Sequence, residues 1–136
     1  MEWVRKLSLL FAGGALGGLA NSLVVWLFGT LGLAAALGVA IAPPLTRPWL
    51  YQRLVWGGIW GLAFLLPLFR GRWLLKGLIV SLGPTLVQLL LIFPYQAYKG
   101  MLGFDLGPLT PFLVVFYNAV WGWTAALWIN WSGRDA

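Results

Sequence analysis

The chain has no cysteine and no histidine. Disulfides, thiolate metal sites, imidazole ligation and histidine acid–base chemistry are thereby excluded, as is an axial histidine for haem or chlorophyll. Acids are nearly as scarce: Glu2, Asp105 and Asp135 are the whole set, two of them at the chain ends. An enzyme gathers proton-transfer or nucleophilic groups in a protected site. No acid–base pair, metal cluster or phosphate-binding loop can be assembled here. The glycines between Gly13 and Gly18 lie inside an apolar run with no strand before them, unlike a phosphate loop. A cation-coupled transporter ordinarily buries a carboxylate in its spans, and none of the three acids falls in one. The expectation is a non-enzymatic protein without a cofactor.

Apolar residues are what the chain has in abundance. Of its 136 residues 61% are hydrophobic and only 9% charged, with a mean hydropathy of +0.87. A soluble domain of this length needs a polar surface that this composition cannot supply, and apolar runs this long mark membrane helices. The net charge of +6 comes from basic residues placed singly at the ends of those runs. That placement suits lipid phosphate and chain orientation rather than nucleic acid.

Four spans are expected, in one membrane domain covering 1–136: Leu7 to about Leu31, Pro48 to Phe69, Trp73 to Phe93, and Pro111 to Trp131. Arg5, Lys6 and Gly18-Leu19-Ala20 imitate a signal peptide. The apolar character runs on through Trp26 and Phe28, too long for such a segment, so the first helix is expected to stay uncleaved. Leu33 to Ala42 is too short to cross and reads as a helix extension, an interfacial piece or a re-entrant dip. Thr46 and Pro48 suit a capped helix start. Gly83-Pro84 predicts a kink in the third span, with Ser81 and Thr85 close enough to satisfy freed carbonyls, and Pro94 is expected to end it. With the N-terminus inside, Arg5, Lys6, Arg70, Arg72, Lys76 and Arg134 face the cytoplasm against Arg47, Arg53 and Lys99 outside. The positive-inside rule therefore puts both termini in the cytoplasm. Arg70, Arg72 and Lys76 are candidate contacts for anionic lipid.

The chain repeats itself. Pro44-Leu45-Thr46-Arg47-Pro48-Trp49-Leu50, leading to Val55-Trp56-Gly57, returns as Pro108-Leu109-Thr110-Pro111-Phe112-Leu113, leading to Val120-Trp121-Gly122. The offset is 64 at the first proline, 63 at the second and 65 at the Trp-Gly pair. Ser22-Leu23-Val24 stands opposite Thr85-Leu86-Val87, Leu37-Gly38 opposite Leu102-Gly103, and Arg53 opposite Asn118. The reading is all-α, with two parallel two-helix units (about 7–69 and 73–131), each carrying an outer-side excursion and related by an axis along the membrane normal.

Inside the spans the polar candidates are Asn21, Arg53, Gln88 and Asn118. They serve either as interhelical hydrogen bonds or as the lining of a pore. Arg53 lies about 8 Å from its helix start, within reach of the headgroups by snorkelling. Candidate packing residues are Gly13, Gly17, Trp56, Gly57, Trp60, Gly61, Trp121 and Gly122, where large rings beside glycines make ridges and slots for another helix or a lipid tail. The expected role is structural, accessory or assembly work through helix and lipid contacts, the partners being lipids and another membrane protein or further copies of the chain. A small passive channel or transporter built by a homo-oligomer is the other reading. The run Val55-Trp56-Gly57-Gly58-Ile59-Trp60-Gly61, with Pro44-Leu45-Thr46 and Asn118-Ala119-Val120-Trp121-Gly122, resembles small uncharacterised four-helix bacterial inner-membrane proteins over most of the chain. The resemblance implies a multi-pass place in the inner or another energy-transducing membrane, and implies no activity.

Overall fold

The computed structural model describes residues 2–67, 69 and 72–132. Arg70, Arg134 and Asp135 lie outside the described residues. The elements are α1 (Glu2–Thr30), a single turn α2 (Leu33–Ala36), α3 (Arg47–Gly61) continued by a 3₁₀ segment (Leu62–Leu65), α4 (Trp73–Val87) continued by a π-helix (Gln88–Gln96), a 3₁₀ segment (Met101–Leu106), and α5 (Thr110–Trp131). Among the described residues three helices are long and apolar enough to cross a membrane: Glu2–Thr30, Trp73–Gln96 and Thr110–Trp131.

Glycine and proline set most of the boundaries. α1 ends where Gly32 takes a left-handed φ of 80°, a conformation that costs glycine nothing. Only one helical turn follows, so the apolar 33–42 stretch is mostly irregular. It folds back over the bundle end, where Ala34 and Val39 are buried with Val25, Leu113 and Tyr117. Thr46 is extended and its Oγ1 accepts from the Trp49 N–H at 3.4 Å, with Pro48 in the first turn. The second copy of that cap does not form. Leu109 occupies the N-cap position with no side-chain bond, and the Thr110 hydroxyl is buried without a partner. Pro94 does not end its helix either. It sits inside the π-helix, which runs on to Gln96; the wider i→i+5 winding carries the chain past a ring that would break a tighter helix. Beside Pro84, Ser81 Oγ donates to Leu78 O at 2.6 Å and Thr85 Oγ1 to Ser81 O at 2.7 Å, so both hydroxyls bond carbonyls of their own helix.

The helices form a row rather than a closed ring. α3 packs on α1, α1 on α5 and α5 on α4, while α3 and α4 do not pack along their lengths. α1 is the centre, and its overlapping glycine pairs serve two faces. Gly14 and Gly18 meet the α3 backbone at Gly57 and Arg53, while Gly13 and Gly17 meet α5 at Ala125, Trp128 and Trp121. At Gly14, Gly17 and Gly18 the facing backbone oxygen is too close to admit a Cβ. Gly61 closes on Leu10 and Gly14, and on the other side of the row Gly122 closes on Gly77. Trp121 is buried and its Nε1–H donates to Gly14 O at 3.0 Å, locking α5 to α1.

Apolar clusters fill the two ends of the bundle, a third (Leu89, Phe93, Val114) lying under the Met101–Leu106 segment. One end holds Leu10, Phe64, Val80, Trp121, Ala125, Ala126 and Ile129, and the other the Val25–Tyr117 group. Between them runs a polar layer.

Candidate functional site

The layer is built on a pair of matched helix crossings. In the first, Ser22 Oγ donates to Gly18 O at 2.6 Å and accepts from Arg53 Nε at 2.9 Å. In the second, Thr85 Oγ1 donates to Ser81 O at 2.7 Å and accepts from Asn118 Nδ2 at 3.1 Å. Asn21 joins the two: its Nδ2 donates to Tyr117 O at 2.6 Å and reaches Asn118 Oδ1 at 3.4 Å. Asn118 Nδ2 also reaches Gln88 Oε1 at 3.4 Å. The structure thus brings Asn21, Arg53, Gln88 and Asn118 into one network touching all four long helices.

Arg53 does not snorkel. Its side chain turns into the bundle, donating from Nη2 to Asn21 Oδ1 and lying 4.8 Å from the centre of the Trp49 ring. The pull is geometric, since Ser22 and Asn21 stand on the α1 face that Gly14 and Gly18 bring against α3. Among the described residues no carboxylate pairs with it, for Glu2 lies in the first turn of α1 and Asp105 in the Met101–Leu106 segment. A guanidinium has five N–H donors and no acceptor; two serve Ser22 and Asn21, and the others have no protein partner.

That charge fixes the direction of the three amides in the network, Asn21, Asn118 and Gln88. Arg53 can only donate, so Asn21 turns its oxygen to Arg53 and its N–H₂ to Tyr117 and Asn118. Asn118 then receives on its oxygen and donates onward to Thr85 and Gln88. Gln88 is left with its Nε2 donors unused. Both ends of the network therefore present donors.

Two cavities meet at these residues. One, of about 360 Å³, is lined by Val25, Ala40–Pro43, Trp49, Arg53, Gln88, Phe93, Val114, Tyr117 and Asn118. The other, of about 570 Å³, has walls from α3 (Trp56, Trp60) and from α4 and its π-helix (Val87, Gln88, Ile92), over a floor of Gly18, Asn21, Asn118 and Trp121. This second one is the cleft left open because α3 and α4 do not pack. Trp56 on its wall is 56% exposed whereas its repeat counterpart Trp121 is 4% exposed, so the two equivalent rings have opposite employment. Trp60 reaches across to α4, where a Cβ on Gly83 would stand 2.9 Å from its Cζ3.

Lys76 is not placed to meet lipid phosphate. It is 3% exposed and donates to Phe64 O at 3.1 Å over the Phe64 ring, because Gly77 draws that turn of α4 onto Gly122 of α5. Arg72 is exposed at the head of α4. Ser22 and Thr85 belong to the network although sequence reasoning assigned neither to a site; their alignment at offset 63, beside Arg53 opposite Asn118 at 65, was the available signal. No protein-family model, curated protein or solved structure matches the chain.

Proposed function

We propose that the protein is a four-span, non-enzymatic membrane protein that binds an anionic guest between α3 and α4, as an accessory or carrier component with both termini in the cytoplasm. The observation that carries the reading is Arg53: a guanidinium inside an apolar bundle, without a carboxylate, at the edge of a cleft. Placing arginine at the centre of a span costs roughly 2.5–3.5 kcal/mol on insertion scales. Such a residue faces a cavity or a partner when it has a task, and this one has donors to spare.

Support for the fourth span comes from length. The fifteen residues of α3 and the four of its 3₁₀ continuation extend to roughly 30 Å at the standard rises, matching a hydrocarbon core. Support for two related units comes from the glycine crossings: Gly14 on Gly57 and Gly77 on Gly122 sit at the offsets found in the sequence.

The test is thermal unfolding of the purified protein in nonionic detergent. Acetate or phosphate at rising concentration should raise Tm more than a neutral sugar at matched concentration does, and Arg53→Gln should abolish the difference, as expected of a ligand bound only by the folded state. An equal response in Arg53→Gln overturns the reading. A second reading, an anion path through an oligomer, is favoured by Arg53 and Gln88 lining both cavities. Chloride flux in liposomes that Arg53→Ala alters, without loss of assembly, would support it.

A further inference from the structure

The cleft has two parts of different chemistry. At one part Arg53 and Gln88 offer unused N–H donors, with Gln52 and Gln96 also in the lining; the apolar part is walled by Trp56, Trp60, Pro84 and Val87. Trp60 bridges to Gly83 and narrows that apolar part. The whole is about 570 Å³, within the range of single-ligand pockets. Its floor is α1 and α5 and its walls α3 and α4, so its opening faces sideways, where a bilayer's acyl chains would be.

On the basis of the anion reading above, we infer that the guest is a single-chain amphiphile with a carboxylate head, a long-chain fatty acid being the simplest case. A carboxylate has two oxygens for charge-assisted bonds, and a guanidinium fork matches them. Arg53 takes the head with Gln88 beside it, and one acyl chain lies in the slot between Trp56 and Val87. The fit to one chain follows from the slot itself, a single gap between two helices, bridged at Trp60. The fit to a negative head follows from the Arg53 charge, which no carboxylate among the described residues balances.

The experiment is equilibrium binding of radiolabelled palmitate to the full chain in nonionic detergent, with competition by laurate, acetate, hexadecanol and diacyl phosphatidylglycerol. Laurate should displace palmitate, while acetate and hexadecanol should need at least about 100-fold more, each lacking one half of the recognition. Arg53→Gln should weaken palmitate at least about 10-fold. Because that variant also loses bonds to α1, Val87→Trp is made alongside it. It fills the slot, leaves the polar network whole, and should weaken palmitate to a similar extent while eluting as the wild type does. Acetate competing as well as palmitate overturns the acyl-chain inference but leaves the anion site standing. Hexadecanol binding as tightly as palmitate, or no binding by either acid, overturns both. Tighter displacement by phosphatidylglycerol overturns the single-chain choice, and unchanged affinity in Val87→Trp removes the slot as the place of binding.

Discussion

The α1·α3 pair and the α4·α5 pair cross in the same way and end in different chemistry. Gly57 lies against Gly14 and Gly18; Gly122 lies against Gly77 and Ser81, the positions 63 residues on. Above each crossing a hydroxyl on the first helix accepts from a side chain on the second, Ser22 from Arg53 and Thr85 from Asn118. The departures follow. Asn21 in one pair stands where the other has Pro84, Val25 where it has Gln88, and a charge in one where the other has a neutral amide. The pairs also meet unequally: α1 packs on α5, while α4 and α3, which stand in the corresponding relation, are apart. An axis along the membrane normal would make those two contacts alike, so the likeness is confined to the interior of each pair. The crossings are alike and the side chains above them are not, and the cleft lies where α3 and α4 stand apart.

The largest effect is expected where the pairs agree. Gly14→Leu and Gly77→Leu each drive a side chain into a facing backbone carbonyl that cannot move aside, at Gly57 and Gly122 respectively. Overpacking of that kind usually costs about 1–3 kcal/mol and occasionally more, and rigid backbone on the far side puts these at the upper end. Both variants should lose most folded protein on extraction, to a similar degree, as read by monodisperse elution in mild detergent. A tolerated Gly77→Leu beside a lethal Gly14→Leu would break the equivalence of the crossings.

The features legible in the sequence were those written as residue type at a fixed offset. Trp56-Gly57 and Trp121-Gly122 announced the crossings, and the few amides and one arginine inside apolar runs had to find one another, because nothing else there could satisfy them. Depth and direction were not legible. Arg53 read as a snorkelling residue because distance from a helix start was the only coordinate in hand; the bundle turned it inward through Asn21 and Ser22. Lys76 read as a lipid contact for the same reason, yet the Phe64 carbonyl takes it. Thr110-Pro111 repeats the threonine and proline of the first helix start, but a cap depends on the backbone of the preceding residue. Leu109 at φ −91°, ψ 2° does not offer the extended geometry that Thr46 has.

Effects of intermediate size fall where the pairs differ. Arg53→Asn makes the second helix of each pair carry the same residue and removes the charge that orients the amides. Losing a charge-assisted bond is worth about 1.5–3 kcal/mol, offset in part because a buried cation no longer needs to be solvated. A net loss of about 1 kcal/mol with complete loss of anion response is expected. Asn118→Ala keeps the charge but removes bonds to Asn21, Thr85 and Gln88 together. It should cost about 2–3 kcal/mol, since three groups lose a buried partner, and should weaken anion response only partly. Reversible unfolding followed by circular dichroism, run beside the ligand titration, separates the two. If Arg53→Asn retains full anion response, the asymmetry between the pairs has no bearing on binding.

The smallest effect, and the one whose sign is informative, lies at the duplicated threonine. Thr46 supports α3 through a long bond of 3.4 Å to Trp49 N, in an exposed position where water competes, so Thr46→Val should cost about 0.5–1 kcal/mol. Thr110 is fully buried with a hydroxyl that bonds nothing. Thr110→Val keeps its shape and removes a desolvated polar atom, and leaving such an atom unpaired costs about 1–3 kcal/mol, so this change should be neutral or stabilising. The two substitutions, chemically identical and 64 positions apart, should therefore move the unfolding midpoint in opposite directions. A loss in Thr110→Val equal to that in Thr46→Val would mean that the second threonine caps its helix as the first does, and that the two units are more alike than their present geometry allows.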